Sequence, residues 1–232
     1  MKVALLADIH GNADALAAVL GAARAEGAVR LLIAGDLVGY YYEPGRVFAL
    51  LDEWPWDCVR GNHEEMLGAW RCGEDREGIR RKYGSGLEAA CEQLTAAMLD
   101  RLESLPHPLA LETDGRSVTI SHGSPGDIDE YVYPDAPAEK SGAMAGEGSA
   151  LVLFGHTHYP VVWRADGTTV VNPGSVGQAR DRIPGACWAL WDTANGAVSL
   201  RREAWDASGT QAQARRRDPG IPYLADVLTR TR

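Results

Sequence analysis

The residues with chemistry in them stand at the ends of short apolar runs. Val3 to Ala7 is one such run, and it gives way to Asp8-Ile9-His10. VRLLIA ends at Gly35-Asp36, and the run through Val59 ends at Gly61-Asn62-His63-Glu64. VTIS ends at His122-Gly123, and LVLF ends at Gly155-His156-Thr157-His158. The chain has 6 histidines, and all but His107 occupy one of these strand ends. His107 reads as structural or exposed. One strand-end Asp or His can be a simple cap. The same event at five strand ends points to a shared site, because side chains at the carboxyl ends of neighbouring parallel strands converge on one crevice.

Carboxylates, an asparagine oxygen and imidazoles, with no thiolate among them, suit Mn, Fe, Zn or Ni rather than Mg or Ca alone. The set is too large for one ion. Two ions about 3.5–4 Å apart are a known arrangement for phosphate ester hydrolysis. One carboxylate must then bridge them. Asp36 lies between Asp8/His10 and Asn62 in chain order, which makes it the candidate. The cysteines (Cys58, Cys72, Cys91, Cys187) form no CxxC pair. Cys58, Cys91 and Cys187 lie in apolar segments and read as small core residues.

The elements that must position this set can be read in outline. Asn12 is a helix N-cap, Leu16, Val19, Leu20 and Ala23 follow at helical spacing, and Gly27 stops the helix. Pro44 opens a second helix through Leu51. Asp8, Asp36 and Asn62 are thus separated by roughly one βαβ repeat of about 30 residues each, which predicts parallel strands. From about residue 65 to 105 the chain makes a helical excursion that covers one end of the sheet. Within it, Leu87, Cys91, Leu94, Met98 and Leu102 predict one amphipathic helix, and the charged, glycine-rich stretch Arg71 to Gly86 predicts a loop. Beyond Pro108, Asp114-Gly115, Asp166-Gly167 and Asn195-Gly196 are hairpin signals between β-rich runs. The second half is therefore antiparallel or mixed sheet. After Trp205 comes a polar tail with short helices, in which IPYLADVL can dock by its apolar face.

The 232 residues suit a single domain spanning 1–232. No apolar run reaches the roughly 20 residues of a membrane helix, and the first run is too short for a signal peptide, so a cytoplasmic protein without membrane association is expected. The net charge of −9 argues against nucleic acid as a partner. The cluster Arg215-Arg216-Arg217 is short and reads as a solvated helix face. The sequence carries no sign of oligomeric state.

Taken in order, DIH, GDLVG, GNHE, SHG and GHTH resemble the motifs of the calcineurin-like metallophosphoesterases. HGSP and NPGSVGQ extend the likeness toward the small bacterial phosphodiesterase branch. The resemblance implies an α/β fold, a four-layer sandwich of two mixed β-sheets flanked by helices. It implies two divalent transition-metal ions, manganese foremost, with Fe, Zn or Ni also compatible. Asp8, His10, Asp36 and His158 would hold the first ion, and Asp36, Asn62, His122 and His156 the second. His63 would be the catalytic residue that stabilises the transition state or protonates the leaving oxygen. The implied reaction is hydrolysis of a small phosphodiester, nucleotide or phosphomonoester by a metal-bound hydroxide. With two carboxylates and that hydroxide, two divalent ions keep about one positive charge, enough to draw a phosphate ester to an acidic protein.

The protein phosphatase pattern GDxxDRG is absent, because Gly39-Tyr40-Tyr41 follows Leu37-Val38. A diadenosine tetraphosphate hydrolase, a protein phosphatase and a metal-binding scaffold with little catalysis are the alternatives. For substrate contacts, Arg60, Arg180 and Arg182 can fork onto phosphate oxygens. Tyr40, with Tyr41 and Tyr42, can stack on a nucleobase or pack its own loop, and so can Tyr131 and Tyr133. The turn Asn172-Pro173-Gly174-Ser175 is placed to brace the site. Glu64 and Asp127 read as supporting or solvated groups rather than ligands.

Overall fold

A computed structural model describes residues 1–145 and 148–231. Alternation along the first strand, β1 (Lys2–Leu6), sets the layers. Val3, Leu5 and Ala7 face one core, and Ala4 and Leu6 face another. The second strand, β2 (Ala28–Ile33), repeats this, with Leu32 and Ala34 on the first side and Leu31 and Ile33 on the second. A strand buried on both faces needs apolar residues at every position, which is why these runs do not alternate with polar ones.

Two five-stranded sheets result. In the first, β1 pairs in parallel with β2, and β2 with β3 (Trp56–Cys58). The antiparallel hairpin of β9 (Ala186–Asp192) and β10 (Ala197–Glu203) extends the other edge, giving the order β10-β9-β1-β2-β3. The second sheet has the order β4-β5-β6-β8-β7, built from β4 (Leu109–Thr113), β5 (Arg116–Ile120), β6 (Leu151–Leu153), β7 (Val161–Ala165) and β8 (Thr168–Asn172). Its middle strands β5, β6 and β8 are parallel. All three Gly-containing turns expected of hairpins are there, joining β4–β5, β7–β8 and β9–β10.

The sheets face each other across Val3, Leu5, Leu32, Val118, Ile120, Leu153, Val171 and Trp191. Helices α1 (Ala13–Ala25), α2 (Pro44–Leu51) and the 62–103 segment cover the outer face of the first sheet. Helix α7 (Ala138–Ala145) covers the second, over Val152, Phe154 and Val170. This is the expected four-layer architecture. No described helix is long and apolar enough to cross a membrane.

The 62–103 segment departs from expectation in three ways. It consists of four short helices: α3 (Asn62–Cys72), α4 (Arg76–Tyr83), α5 (Gly86–Gln93) and α6 (Ala96–Glu103). The expected single helix from Leu87 to Leu102 breaks at Leu94, whose ψ of 144° is extended, and Thr95 caps the next helix by accepting from Met98 N at 3.3 Å. The apolar spacing continues across the break because both short helices pack on the same core. The stretch read as loop contains α4, which buries only Ile79 and so shows no apolar stripe. Asn62 opens helix α3 rather than ending a strand. In the tail, α8 (Ser208–Arg217) and α9 (Tyr223–Asp226) bury Ala214, Leu224 and Ala225 against Tyr41 and Tyr42.

Candidate metal centre

The loops after β1, β2, β3, β5 and β6, from both sheets, bring Asp8, His10, Asp36, Asn62, His122, His156 and His158 to one place. The loops there hold five non-glycine residues in the left-handed region: Asp8 (φ 55°), His10 (52°), Asp36 (57°), His156 (68°) and His158 (64°). Such conformations cost about 1–3 kcal/mol each and persist only where the surroundings fix them. Here main-chain bonds do so. Asp8 N donates to Gly35 O at 3.2 Å and His10 N to Asp36 O at 2.9 Å, tying the first two loops together. Gly155 N donates to His122 O at 2.8 Å. The 172–177 turn braces the set as its position suggested: Ser175 Oγ donates to Asp8 O at 2.7 Å and Val176 N to Ala7 O at 3.0 Å. Burial of the sandwich side chains, about 1.5–3 kcal/mol each for Val, Leu or Ile, offsets the strain.

The orientation of the rings decides what the cavity can hold. Nδ1 of His122 lies 2.7 Å from Ala34 O, Nδ1 of His158 2.6 Å from Gln178 O, and Nδ1 of His10 3.2 Å from Val38 O. A carbonyl can only accept, so each Nδ1 carries a proton, and in the neutral ring Nε2 presents its lone pair. Those lone pairs point at one another and at carboxylates. His10 Nε2 is 3.1 Å from His158 Nε2 and 3.6 Å from Asp36 Oδ2, and His158 Nε2 is 3.5 Å from Asp8 Oδ1. His122 Nε2 is 3.0 Å from Asn62 Oδ1, 3.1 Å from His156 Nδ1 and 3.4 Å from Asp36 Oδ2. His156 Nε2 is buried with no hydrogen-bond partner among the described residues.

Acceptors gathered without donors are stable only around positive charge. Asp8, His10 and His158 present donor atoms within 4.8 Å of one another, as do Asp8, Asp36 and His122. Asp8 belongs to both of these groups, and Asp36 Oδ2 lies near a ring of each, 3.6 Å from His10 Nε2 and 3.4 Å from His122 Nε2. Without a metal ion the cluster takes up protons in its place. Burial lifts the Asp8 carboxyl to about 8, and Asp36 adds to the rise. Burial disfavours a charged His122, yet Asp36 and Asp8 outweigh it and raise the ring to about 10. The donor set fits a pair of divalent cations.

His63 and Glu64 serve this floor from α3. His63 N donates to Asp36 Oδ1 at 2.9 Å, and the His63 ring lies 4.6 Å from that of His10. His63, His10 and Asp36 also lie within 4.8 Å of one another, so the ring stands at the edge of the metal-ligand set. Burial lowers the His63 ring to about 4. Glu64 is fully buried, and its carboxylate accepts from Asp36 N at 2.9 Å, Leu37 N at 2.8 Å, Val38 N at 3.3 Å and Gly61 N at 2.8 Å. It locks the Asp36 loop to the start of α3. Two glycines make room: a Cβ at Gly61 would overlap Asp36 Oδ1, and one at Gly39 (φ 118°) would overlap the His63 ring.

The rim is aromatic. Tyr40, Tyr83, Tyr131 and Arg180 line the cavity with Asp36, Asn62, His63, His156 and His158. The Arg180 guanidinium donates to Gln178 Oε1 at 3.1 and 3.0 Å and to Tyr40 Oη at 2.9 Å. Among the described residues no carboxylate lies within ion-pair distance of it. Of the four expected substrate contacts, Tyr40 and Arg180 reach the cavity and the other two do not. Arg60 turns to Glu65 at 3.3 Å and Glu103 O at 3.2 Å, because the α6 end lies against it. Arg182 is exposed, on a left-handed turn past the rim. Tyr41 and Tyr42 pack inward: Tyr41 Oη donates to Leu224 O at 3.0 Å and Tyr42 Oη to Asp218 Oδ2 at 2.7 Å.

Tyr83, Gln178 and the full role of Glu64 were not found by reading the sequence. Glu64 had a signal, since a Glu at the third helical position that reaches back to the cap N–H is half of a capping box. His107 is structural, as expected, and its Nε2 accepts from His122 N at 3.0 Å.

Comparison with known proteins bears on the family and the fold. The chain is 28% identical over 222 residues to an uncharacterized protein of Methanocaldococcus jannaschii, covering 88% of each. A metallophosphoesterase from Sphaerobacter thermophilus superposes with a TM-score of 0.77 at 29% identity, over 97% of this chain and 99% of that one. A hypothetical protein from Pyrococcus horikoshii OT3 shares the fold with a TM-score of 0.84 at 21% identity, over 99% and 98%. The sequence model of the calcineurin-like phosphoesterase superfamily domain matches residues 1–196. The chain belongs to the calcineurin-like phosphoesterase superfamily.

Proposed function

We propose that this protein is a dinuclear metal-dependent hydrolase of small phosphate esters, taking a phosphodiester, nucleotide or phosphomonoester. The observation that carries the reading is the set of carbonyl-locked rings whose bare Nε2 atoms meet the carboxylates of Asp8 and Asp36. Asp8, His10, Asp36 and His158 are the residues for one divalent ion, and Asp36, Asn62, His122 and His156 for the other. Manganese is the first choice, and Fe, Zn or Ni suits the same nitrogen and oxygen donors. When bound, two such ions neutralise phosphate charge and lower the pKa of coordinated water toward 7.

The chain's own residues supply the rest. Arg180 is held by Gln178 and Tyr40 with no carboxylate among the described residues within ion-pair distance, so a phosphate oxygen is a fitting partner for its free edge. His63 stands at the cavity wall, within reach of a leaving oxygen. The tyrosines of the rim exclude water from the reacting group. Glu64 keeps Asp36 and the start of α3 in register.

The test is metal analysis of the purified protein together with turnover of bis-p-nitrophenyl phosphate in Mn²⁺, against an Asp36→Asn control. Two bound ions and Mn²⁺-dependent turnover are expected, with both lost in the variant. The asparagine keeps an oxygen for His63 N–H, so the fold should survive. A protein that binds metal yet turns over no phosphomonoester or diester is instead a metal-binding scaffold.

A further inference from the structure

The cavity over the candidate metal centre has a volume of about 20 Å³, room for roughly one water. A cavity this small leaves no room for the group to which a phosphate is esterified. Whatever the phosphate is esterified to must lie outside. One wall leads there. Tyr131, which lines the cavity, also lines an adjoining groove of about 470 Å³ between the 130–137 loop and α7. That volume falls within the range of about 300–1,000 Å³ typical of small-molecule sites.

The groove begins at the half-exposed ring of Tyr131, with Tyr133 beside it and packed edge-on against Tyr159. Tyr131 is 56% exposed and Tyr133 is 42% exposed, and their rings stack at 6.0 Å with 19° between planes. Tyr131 also sits 4.2 Å, centroid to centroid, from the ring of His156. Exposed large aromatics beside a polar cavity are informative in a way that scattered ones are not. The polar groups of the groove narrow the occupant further. Lys140 pairs with Glu130, which leaves the Glu139 carboxylate as the uncompensated charge. The groove is therefore mildly acidic and lacks a free cation among its described lining residues. It disfavours a second phosphate and accepts a neutral flat group.

We infer that Tyr131, backed by Tyr133, is the subsite for a planar aromatic group on the esterified side of the substrate, such as an aryl ring or a nucleobase. This rests on the phosphoesterase reading and narrows it. The substrate class is an aromatic ester with one phosphate at the metal centre.

The experiment compares phenylphosphonate with methylphosphonate, which cannot be hydrolysed, binding to the Mn²⁺-loaded full chain by calorimetry. In the unmodified protein the phenyl compound should bind more tightly. In Tyr131→Ala the phenyl-to-methyl affinity ratio should fall about tenfold, the scale of one lost aromatic stacking contact. Tyr133→Ala should lower it less, and Tyr131→Phe should keep it. A ratio unchanged in Tyr131→Ala overturns the inference, with or without self-association through the exposed tyrosines. So does an equal loss for both compounds, because Tyr131 would then act only through His156. Failure to bind either phosphonate overturns it as well. If the ratio collapses as expected but no ester is turned over, the subsite stands and the hydrolase reading falls. If esters are turned over and the ratio holds, the subsite alone falls.

Discussion

On the floor of the cavity, His10, His122 and His158 each give one ring nitrogen to a main-chain carbonyl, and Glu64 grips four main-chain N–H groups. On the rim, Arg180 is held by Tyr40 and by Gln178, side chain to side chain. The difference teaches where this fold can change. Floor geometry is a property of the backbone, fixed by strand ends and left-handed turns. Rim geometry depends on side chains and on the tail beyond residue 196, which lies outside the matched family region.

The largest expected effect tests whether the floor divides into ligands and a catalytic group. His63→Ala should retain both metals, because the Asp8, His10, Asp36, Asn62, His122, His156 and His158 donors remain. Turnover should drop by roughly 10²–10⁴-fold, the usual span for lost acid–base or hydrogen-bonding assistance. Metal content and steady-state rates check this together. Unchanged turnover on an ester with a poor leaving group would remove His63 from the chemistry. Loss of one metal would move it into the ligand set.

Glu64→Gln should give a smaller effect of a different kind. An amide has one acceptor oxygen where the carboxylate has two, and its NH₂ would face buried N–H donors. Leaving such groups unpaired costs about 1–3 kcal/mol of stability. Because those donors belong to Asp36, Leu37, Val38 and Gly61, the metal site should loosen too, by about 10–100-fold in affinity. Thermal melts with and without Mn²⁺, and metal titration, separate the two. A lower melting temperature with metal affinity intact would make Glu64 a structural brace and nothing more.

The floor was legible in the sequence because its physics is local. A strand that must turn sharply at its carboxyl end needs Gly, Asp, Asn or His, and Asp8, Asp36, His156 and His158 are the left-handed residues themselves. Apolar run followed by polar residue was therefore a readable signature, whereas the sandwich of two sheets was implied by the motif resemblance. The rim was not legible, for the opposite reason. Tyr83 rides on α4, a helix with one buried residue and no stripe, so charge and glycine spelled loop. The break between α5 and α6 left only Thr95 as a sign, since the apolar spacing ran through it. Arg60, Arg180 and Arg182 were equal candidates by type. Only packing separates them, because Arg60 is claimed by Glu65 and Glu103 whereas Arg180 is aimed by Gln178.

The smallest expected effect probes the far end of the rim. Tyr41 Oη donates to Leu224 O in α9 and accepts from Gln178 Nε2 at 3.3 Å, and Gln178 Oε1 in turn orients Arg180. Tyr41→Phe keeps the packed ring and cuts this chain. It should raise KM for a small phosphate ester about fivefold, the equivalent of roughly 1 kcal/mol for one hydrogen bond, while leaving metal content alone. A general loosening of the fold would produce a similar number, so the decisive measurement is a cycle with Arg180→Ala. If Tyr41 acts through the guanidinium, its removal should cost almost nothing once Arg180 is gone, with a coupling of about 0.5–3 kcal/mol as expected for residues in one network. Additive effects would mean that the tail and the cavity are merely neighbours. Strong coupling would make the segment beyond the family region a working part of the rim.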